Sequence, residues 1–186
     1  DTLVFTGSTP EGRSAFAVNL RTKEVRRIAP SVSSEVVAPN RRELFYLNGD
    51  KALSTHLDTL ETREIATVPA EYVLGRGLSV NADETQLLGC YAKGEAAFWS
   101  QHPMKSLKET YKTGIPKLFE AKLPNALFTI DIATGAVRET LHENVWFGHT
   151  QFSPTDPNQI EFCHEGPERR LDRMWLIRAD GSEYRK

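Results

Sequence analysis

Short stretches of alternating apolar and polar residues run along the chain, and a turn bounds each of them. Residues 126–130, Ala-Leu-Phe-Thr-Ile, are one example. The turns are rich in Pro, Gly, Asp and Asn, which supply the backbone angles that tight hairpins require. Alternation with a period of two between such turns predicts antiparallel β-strands. The pattern therefore predicts an all-β protein.

Two kinds of turn recur along the chain at a spacing of about 40–45 residues, the length of one four-stranded propeller blade. The first kind is an Ala-Pro, Asn-Ala-Asp or Ser-Pro turn followed by an apolar strand, at residues 38–46, 81–89 and 153–162. The second kind resembles Asp-Leu-x-Thr-Gly and stands at residues 19–26, 56–63, 131–138 and 177–185. The repeat predicts a β-propeller of four-stranded antiparallel blades.

About four blades are present by this repeat count: the last three strands of one blade, two full blades, and most of a fourth. Such an array leaves two open edges, whereas a closed propeller usually has more blades. We therefore expect residues 1–186 to be a single-domain partial propeller from a longer chain. A self-contained four-bladed ring is the alternative.

One segment, residues 93–125, interrupts the third blade between its second and third strands. Residues 104–111 predict a short helix with Leu107 and Tyr111 on one face, and we expect helix only within about residues 100–120. The segment is either a plain surface insertion or a wall of a binding site, because insertions of this kind often carry function.

Composition narrows the possible partners. The 186 residues are 39% hydrophobic and 26% charged, with a formal net charge of −2. No run of Lys and Arg indicates nucleic-acid binding, and no apolar run approaches the roughly 20 residues of a membrane helix. Cys90 and Cys163 lie in predicted strands, which favours buried reduced thiols.

The strand order of the fourth blade brings four polar residues to one face. If its first strand leaves that face at His149, its second strand returns there at His164 and Glu165. Its third strand then starts at Arg173 on the same face. The 93–125 insertion leaves the neighbouring blade on this side too. Since propeller sites commonly lie at such mouths, we predict one pocket that contains all four residues.

Structural roles for the same residues stay open. Glu165 could satisfy backbone donors in a turn, and Arg173 could pair with Glu165 or Asp172 to hold the loop between strands. A metal site made of His149, His164 and Glu165 is a weaker hypothesis than a substrate pocket, because the spacing of these residues matches no metal motif.

The chain resembles the oligogalacturonate lyase family along nearly its whole length. The segments that carry the resemblance are Glu-Asn-Val-Trp-Phe-Gly-His (143–149), Phe-Cys-His-Glu-Gly-Pro (162–167) and Asp-Arg-Met-Trp-Leu-Ile (172–177). The resemblance implies a seven-bladed propeller that cleaves pectin fragments by β-elimination with a divalent metal, typically Mn²⁺. It also implies that this chain matches the first half of such a protein.

Residue roles follow only where the family pattern matches. The resemblance implies a catalytic role for Arg173, whereas the family's base and metal ligands would fall beyond Lys186. We expect His149, His164 and Glu165 to bind substrate, and we expect the 186 residues to be inactive by themselves. The resemblance implies a cytoplasmic location, with the periplasm as the alternative.

Two other functions compete with the lyase. A binding or scaffold propeller of periplasmic or cell-surface assemblies would share the repeated turns. Such a non-catalytic propeller would not need His164, Glu165 and Arg173 on one face. A glycosidase would need paired carboxylates at the mouth, and only Glu165 is a good candidate.

Overall fold

Strands dominate the computed structural model, which describes residues 1–69, 77–166 and 171–186. Over these residues the strands form four antiparallel sheets of three, four, four and three strands in chain order. Strands that follow each other in the sequence are neighbours in each sheet. This arrangement confirms the predicted all-β fold of meandering blades, with three described strands in each of the first and fourth blades.

The strands divide among the blades as the repeated turns predict. Blade 1 consists of β1 (Thr2–Thr9), β2 (Gly12–Asn19) and β3 (Val25–Ala29). Blade 2 consists of β4 (Ser33–Ala38), β5 (Glu43–Asn48), β6 (Lys51–His56) and β7 (Thr62–Thr67). Blade 3 consists of β8 (Ser79–Val80), β9 (Gln86–Ala92), β10 (Asn125–Asp131) and β11 (Val137–Glu143). Blade 4 consists of β12 (Trp146–Phe152), β13 (Gln159–Glu165) and β14 (Met174–Arg178).

The hydrophobic core lies between blades rather than inside any one of them. On β5, Leu44 and Tyr46 join the cluster shared with blade 1, whereas Phe45 and Leu47 join the cluster shared with blade 3. A third cluster joins blade 3 to blade 4. Because such a strand is covered on both faces, it is apolar at consecutive positions instead of alternating.

The second kind of turn has the same hydrogen-bonding scheme in blades 1 and 3. The Oδ1 atom of Asn19 accepts from the backbone N–H groups of Arg21 and Thr22, at 2.9 and 3.1 Å. In blade 3, Asp131 Oδ1 accepts from the N–H groups of Ala133 and Thr134, at 3.1 and 2.7 Å. Short side chains that bond to the backbone two or three residues later stabilise tight turns. This explains why Asn and Asp recur at these positions.

The first kind of turn connects one blade to the next. Glu84, in the turn before β9, is only 4% exposed and accepts from the backbone N–H groups of Asn40 and Arg41, at 2.9 and 2.7 Å. Asn81 of the same turn donates to the carbonyl of Pro157 in blade 4, at 3.1 Å. Polar contacts between these turns therefore join blades 2, 3 and 4.

The insertion between β9 and β10 is helical over more of its length than predicted. It contains α1 (Glu95–Gln101), α2 (Leu107–Glu109), a π-helical turn (Thr110–Gly114) and α3 (Ile115–Ala121). The prediction of helix only from about residue 100 was wrong, because α1 begins directly after Gly94. The predicted helix over 104–111 starts at Leu107 because Ser106 caps it, its Oγ accepting from Glu109 N at 3.2 Å. In the described part of the chain, no helix has the length and apolar character of a membrane span.

One glycine lies where blade 3 comes close to the backbone of blade 2. Gly135 has a φ of +73°, and a Cβ there would lie 2.3 Å from the carbonyl oxygen of Ile65. Gly49 has a φ of +60° with open space around it. Any L-residue pays about 1–2 kcal/mol for a left-handed conformation. Of these two positions, only Gly135 adds a steric clash between blades.

Gly135→Ala should therefore lower the free energy of unfolding by about 1–3 kcal/mol more than Gly49→Ala, the usual cost of overpacking. Urea titration of the wild type and both variants measures the difference. Equal losses for the two variants would show that blade 2 does not constrain position 135.

Candidate functional site

A bulge in β12 directs His149 away from the sheet. The register between β12 and β13 shifts between Gly148 and Gln151, and His149 has a φ of +51°. A bulge of this kind breaks the regular alternation of side chains and re-aims one of them. His149 is consequently exposed at the surface of blade 4.

Glu165 lies at the end of β13, directly opposite Trp146 on β12. Its side chain folds across Gly148, where an added Cβ would lie 2.7 Å from Glu165 Cγ. Glycine at position 148 thus leaves room for the carboxylate, which is nearly buried. No local sequence pattern indicates this role of Gly148, because the glycine and the glutamate come from different strands.

The Glu165 carboxylate contacts two basic side chains. Arg173 donates from Nη2 to Oε1 and Oε2 of Glu165, at 3.0 and 2.9 Å. His149 Nε2 lies 3.2 Å from Glu165 Oε1. Both contacts to Arg173 use the same nitrogen, so Glu165 fixes one end of the guanidinium while about half of that side chain stays exposed. Glu165, His149 and Arg173 therefore form one cluster, as predicted.

His164 lies outside this cluster. Its neighbours along β13, Cys163 and Glu165, point to the other face of the strand. The imidazole is buried, with Nε2 2.8 Å from Glu143 Oε2, and the Tyr184 hydroxyl donates to the other oxygen of Glu143 at 2.9 Å. The ring also packs against Trp175, with centroids 4.9 Å apart. The prediction that all four residues share one pocket was thus wrong for His164, whose substrate-binding role stays a prediction.

Burial sets the protonation of two groups beside the cluster. Burial lowers the pKa of His164, although the charge of Glu143 opposes that shift. On the opposite face of β13, burial raises the pKa of the Cys163 thiol, and the nearby charge of Glu165 raises it further. Both cysteines are buried with free thiols. Neutral imidazole and neutral thiol are therefore the favoured forms near pH 7.

A cavity of about 550 Å³ opens between blade 4 and the insertion. Its blade side contains Trp146, Gly148, His149, Glu165, Gly166 and Arg173. Its insertion side contains Leu107, Thr110, Tyr111, Ile115 and Pro116. The insertion is thus a wall of the cavity, which favours the second of its two interpretations. This volume lies within the range of about 300–1,000 Å³ that is typical of small-molecule sites.

Trp146 is a further aromatic residue of the site. It is half-buried and lines the cavity on the blade side. Pro167, which belongs to the family segment 162–167, lies outside the described residues. No group of three or more His, Cys, Asp or Glu side chains within the described residues could hold a metal ion.

Comparisons with known proteins agree on one family. A family model described as oligogalacturonate lyase matches residues 2–186. An oligogalacturonate lyase of Dickeya dadantii is 32% identical over 99% of this chain, which covers 47% of that relative. An oligogalacturonide lyase of Pectobacterium atrosepticum is 36% identical over 81% of the chain and 37% of its own length. The chain thus spans about half the length, or less, of the curated relatives it matches.

Solved structures of oligogalacturonate lyases also superpose on this chain. An oligogalacturonate lyase in complex with manganese superposes with a TM-score of 0.81 and 30% identity, over the whole chain and 48% of that structure. An oligogalacturonate lyase of Vibrio parahaemolyticus superposes with a TM-score of 0.82 and 28% identity, again over 48% of its length. TolB of Acinetobacter baumannii has a TM-score of 0.64 at 11% identity and shares the fold alone.

The buried imidazole of His164 should make stability depend on pH. An unfolded histidine titrates near pH 6.5, and burial holds the folded pKa of His164 below that value. As the pH falls below about 6.5, the unfolded chain therefore takes up the proton first, and the folded state loses stability.

Thermal midpoints of the wild type and His164→Gln, measured between pH 7.5 and 5, test this expectation. The midpoint of the variant should fall less over this interval. His142→Gln is the matched control, because His142 is exposed on the neighbouring blade. A wild-type pH dependence that survives in His164→Gln would contradict the prediction.

Proposed function

Because the chain belongs to the oligogalacturonate lyase family, we propose that the full gene product containing it cleaves α-1,4-linked galacturonate oligomers by β-elimination. The observation that carries the proposal is the half-exposed guanidinium of Arg173, held at the wall of a cavity by a nearly buried carboxylate. The family relationship supports the reaction type. The geometry supports a role for this chain in binding the uronate carboxylate.

The chemistry requires a cation near the carboxylate of the substrate. β-Elimination removes the C5 proton of a galacturonate residue, forms a C4–C5 double bond and breaks the bond from C4 to the glycosidic oxygen, which leaves with a proton. The C5 proton lies next to the carboxylate, so negative charge grows on the carboxylate oxygens as the proton leaves. Fixed positive groups aimed at such oxygens stabilise the transition state.

Among the residues that line the cavity, Arg173 is suited to stabilise the negative charge that grows on the substrate carboxylate. Guanidinium offers a planar fork of donors matched to a carboxylate, and its charge is constant at neutral pH. Glu165 binds Nη2, and the same guanidinium also interacts with the Cys163 thiol. The Nε and Nη1 donors of Arg173 are the ones that we assign to the substrate. The base that removes the C5 proton is assigned to no residue of this chain.

Glu165 acts in this proposal as a positioning residue. Its carboxylate is restrained by β13 and covered by Gly148, and it holds the guanidinium by two contacts. A fixed guanidinium loses less side-chain entropy when it binds substrate. His149, 3.2 Å from the same carboxylate, completes the cluster and is proposed to contact the substrate at the open side of the cavity.

A divalent cation, Mn²⁺, is proposed as the cofactor of the full protein, since one related solved structure is a complex with manganese. The described residues do not fit such an ion. The cavity holds one carboxylate, which Arg173 already neutralises, and one imidazole. The metal ligands are therefore proposed to come from outside this chain. The cytoplasm is proposed as the location, which the two free thiols support.

Arg173→Ala should lower kcat on trigalacturonate by about 10²–10³-fold, the usual effect of removing one group that stabilises transition-state charge. Arg173→Lys should restore activity only in part, because an ammonium lacks the planar fork. The absorbance of the new C4–C5 double bond measures turnover in the full gene product. Thermal unfolding of the same samples measures stability.

Arg185→Ala is the control for this series, because Arg185 is exposed near blade 4 and does not line the cavity. It should keep wild-type turnover. If Arg173 only holds the loop before β14, Arg173→Ala should lose stability and keep near-normal turnover. That result would reject the catalytic role.

Glu165→Gln should lower kcat by about 10–100-fold, since a hydrogen bond to a charged group contributes roughly 1.5–3 kcal/mol. The amide keeps the shape of the carboxylate but lacks its negative charge, so it holds the guanidinium less firmly. Glu161→Gln, four residues earlier on β13, is the matched control and should leave kcat unchanged. An unaltered kcat in Glu165→Gln would show that Arg173 needs no positioning by this carboxylate.

A further inference from the structure

The two walls of the cavity differ in chemistry. The imidazole, carboxylate and guanidinium of its lining, from His149, Glu165 and Arg173, all come from blade 4. The insertion contributes apolar surface from Leu107, Tyr111, Ile115 and Pro116, together with the hydroxyl of Thr110. A ligand that fits between these walls has a charged edge and an apolar face.

The apolar wall is exposed but firmly anchored. Tyr111 and Leu107 are 70% and 78% exposed. The π-helical turn that carries Tyr111 ends at Gly114, where an added Cβ would lie 2.9 Å from the Trp99 ring of α1. Large exposed apolar side chains on a well-packed support indicate a binding surface.

A second glycine anchors the insertion to blade 4. A Cβ at Gly166 would lie 2.7 Å from the Phe119 ring of α3. α3 also buries Leu118, which is 2% exposed. The insertion is therefore fixed relative to the strand end that carries Glu165. π-Helical turns, rare in proteins, are frequent at functional sites.

We propose that Tyr111, with Leu107 beside it, forms a saccharide subsite for the galacturonate residue next to the one bound at Arg173. This inference rests on the proposed lyase function. A pyranose ring presents C–H groups on its faces and its carboxylate at an edge. The phenol ring of Tyr111 covers the C–H face and removes apolar surface from water, while the charged edge faces blade 4.

The subsite binds a sugar residue away from the reacting atoms, so it adds binding energy equally to the bound substrate and the transition state. Uniform binding of this kind changes KM and leaves kcat unaltered. Tyr111→Ala in the full gene product should raise the KM for trigalacturonate by roughly 3- to 10-fold. Tyr111→Phe should keep the wild-type KM, because the ring and not the hydroxyl makes the contact.

Thr113→Ala is the control within the same π-helical turn, because Thr113 is exposed and does not line the cavity. Its KM should equal that of the wild type. Thermal midpoints of all variants should agree, since Tyr111 is mostly exposed. Absence of turnover by the wild type would overturn the proposed function and this inference with it.

Normal wild-type turnover combined with an unchanged KM in Tyr111→Ala would overturn the subsite alone. A fall in kcat without a rise in KM would overturn it too, because it would place Tyr111 at the reacting atoms. Sedimentation of the same samples separates a third possibility. A changed oligomeric state in Tyr111→Ala with an unchanged KM would reject the subsite in favour of a contact between copies of the chain.

Discussion

Packing of each blade against its neighbour is the constraint on which the rest of the structure depends. A single antiparallel sheet of three or four strands cannot enclose a core, so its apolar side chains must be covered by the next sheet. On β9, Leu87 faces blade 2 and Leu88 faces blade 4. Glu84 and Gly135 add polar and steric contacts between the same blades. Because the blades fix each other, the ends of their strands can hold functional groups at set positions.

The candidate site uses two consequences of that rigidity. The bulge in β12 places His149 outside the regular alternation of the strand, and glycine at position 148 allows Glu165 to lie across the sheet. Glu165 then holds Arg173 at the cavity. A nearly buried carboxylate is costly without a partner, so the same ion pair that stabilises the fold also orients the proposed catalytic group. Structural and functional roles of Arg173 are therefore compatible.

The insertion converts the end of a blade into a cavity with two walls. Blades alone present charged groups to an open surface, whereas the helices between β9 and β10 add apolar surface opposite them. Close contacts at Gly114 and Gly166 tie these helices to each other and to blade 4. This geometry supports the separate roles proposed for the two walls. Blade 4 recognises the carboxylate, and the insertion binds the sugar ring.

The sequence by itself determined the blade architecture, the turns and the position of the insertion. Local patterns encode these features, since strand alternation and turn residues act over a few neighbouring positions. It also determined that Glu165 and Arg173 lie together, because strand direction places consecutive strand ends at one edge. Only the tertiary structure decided that His164 faces Glu143 instead of the cavity, and that Trp146 and Tyr111 line it. These outcomes depend on the face that a side chain takes beside a bulge and on helices that pack across a gap in the sequence. Such contacts join distant residues and leave no local pattern to read.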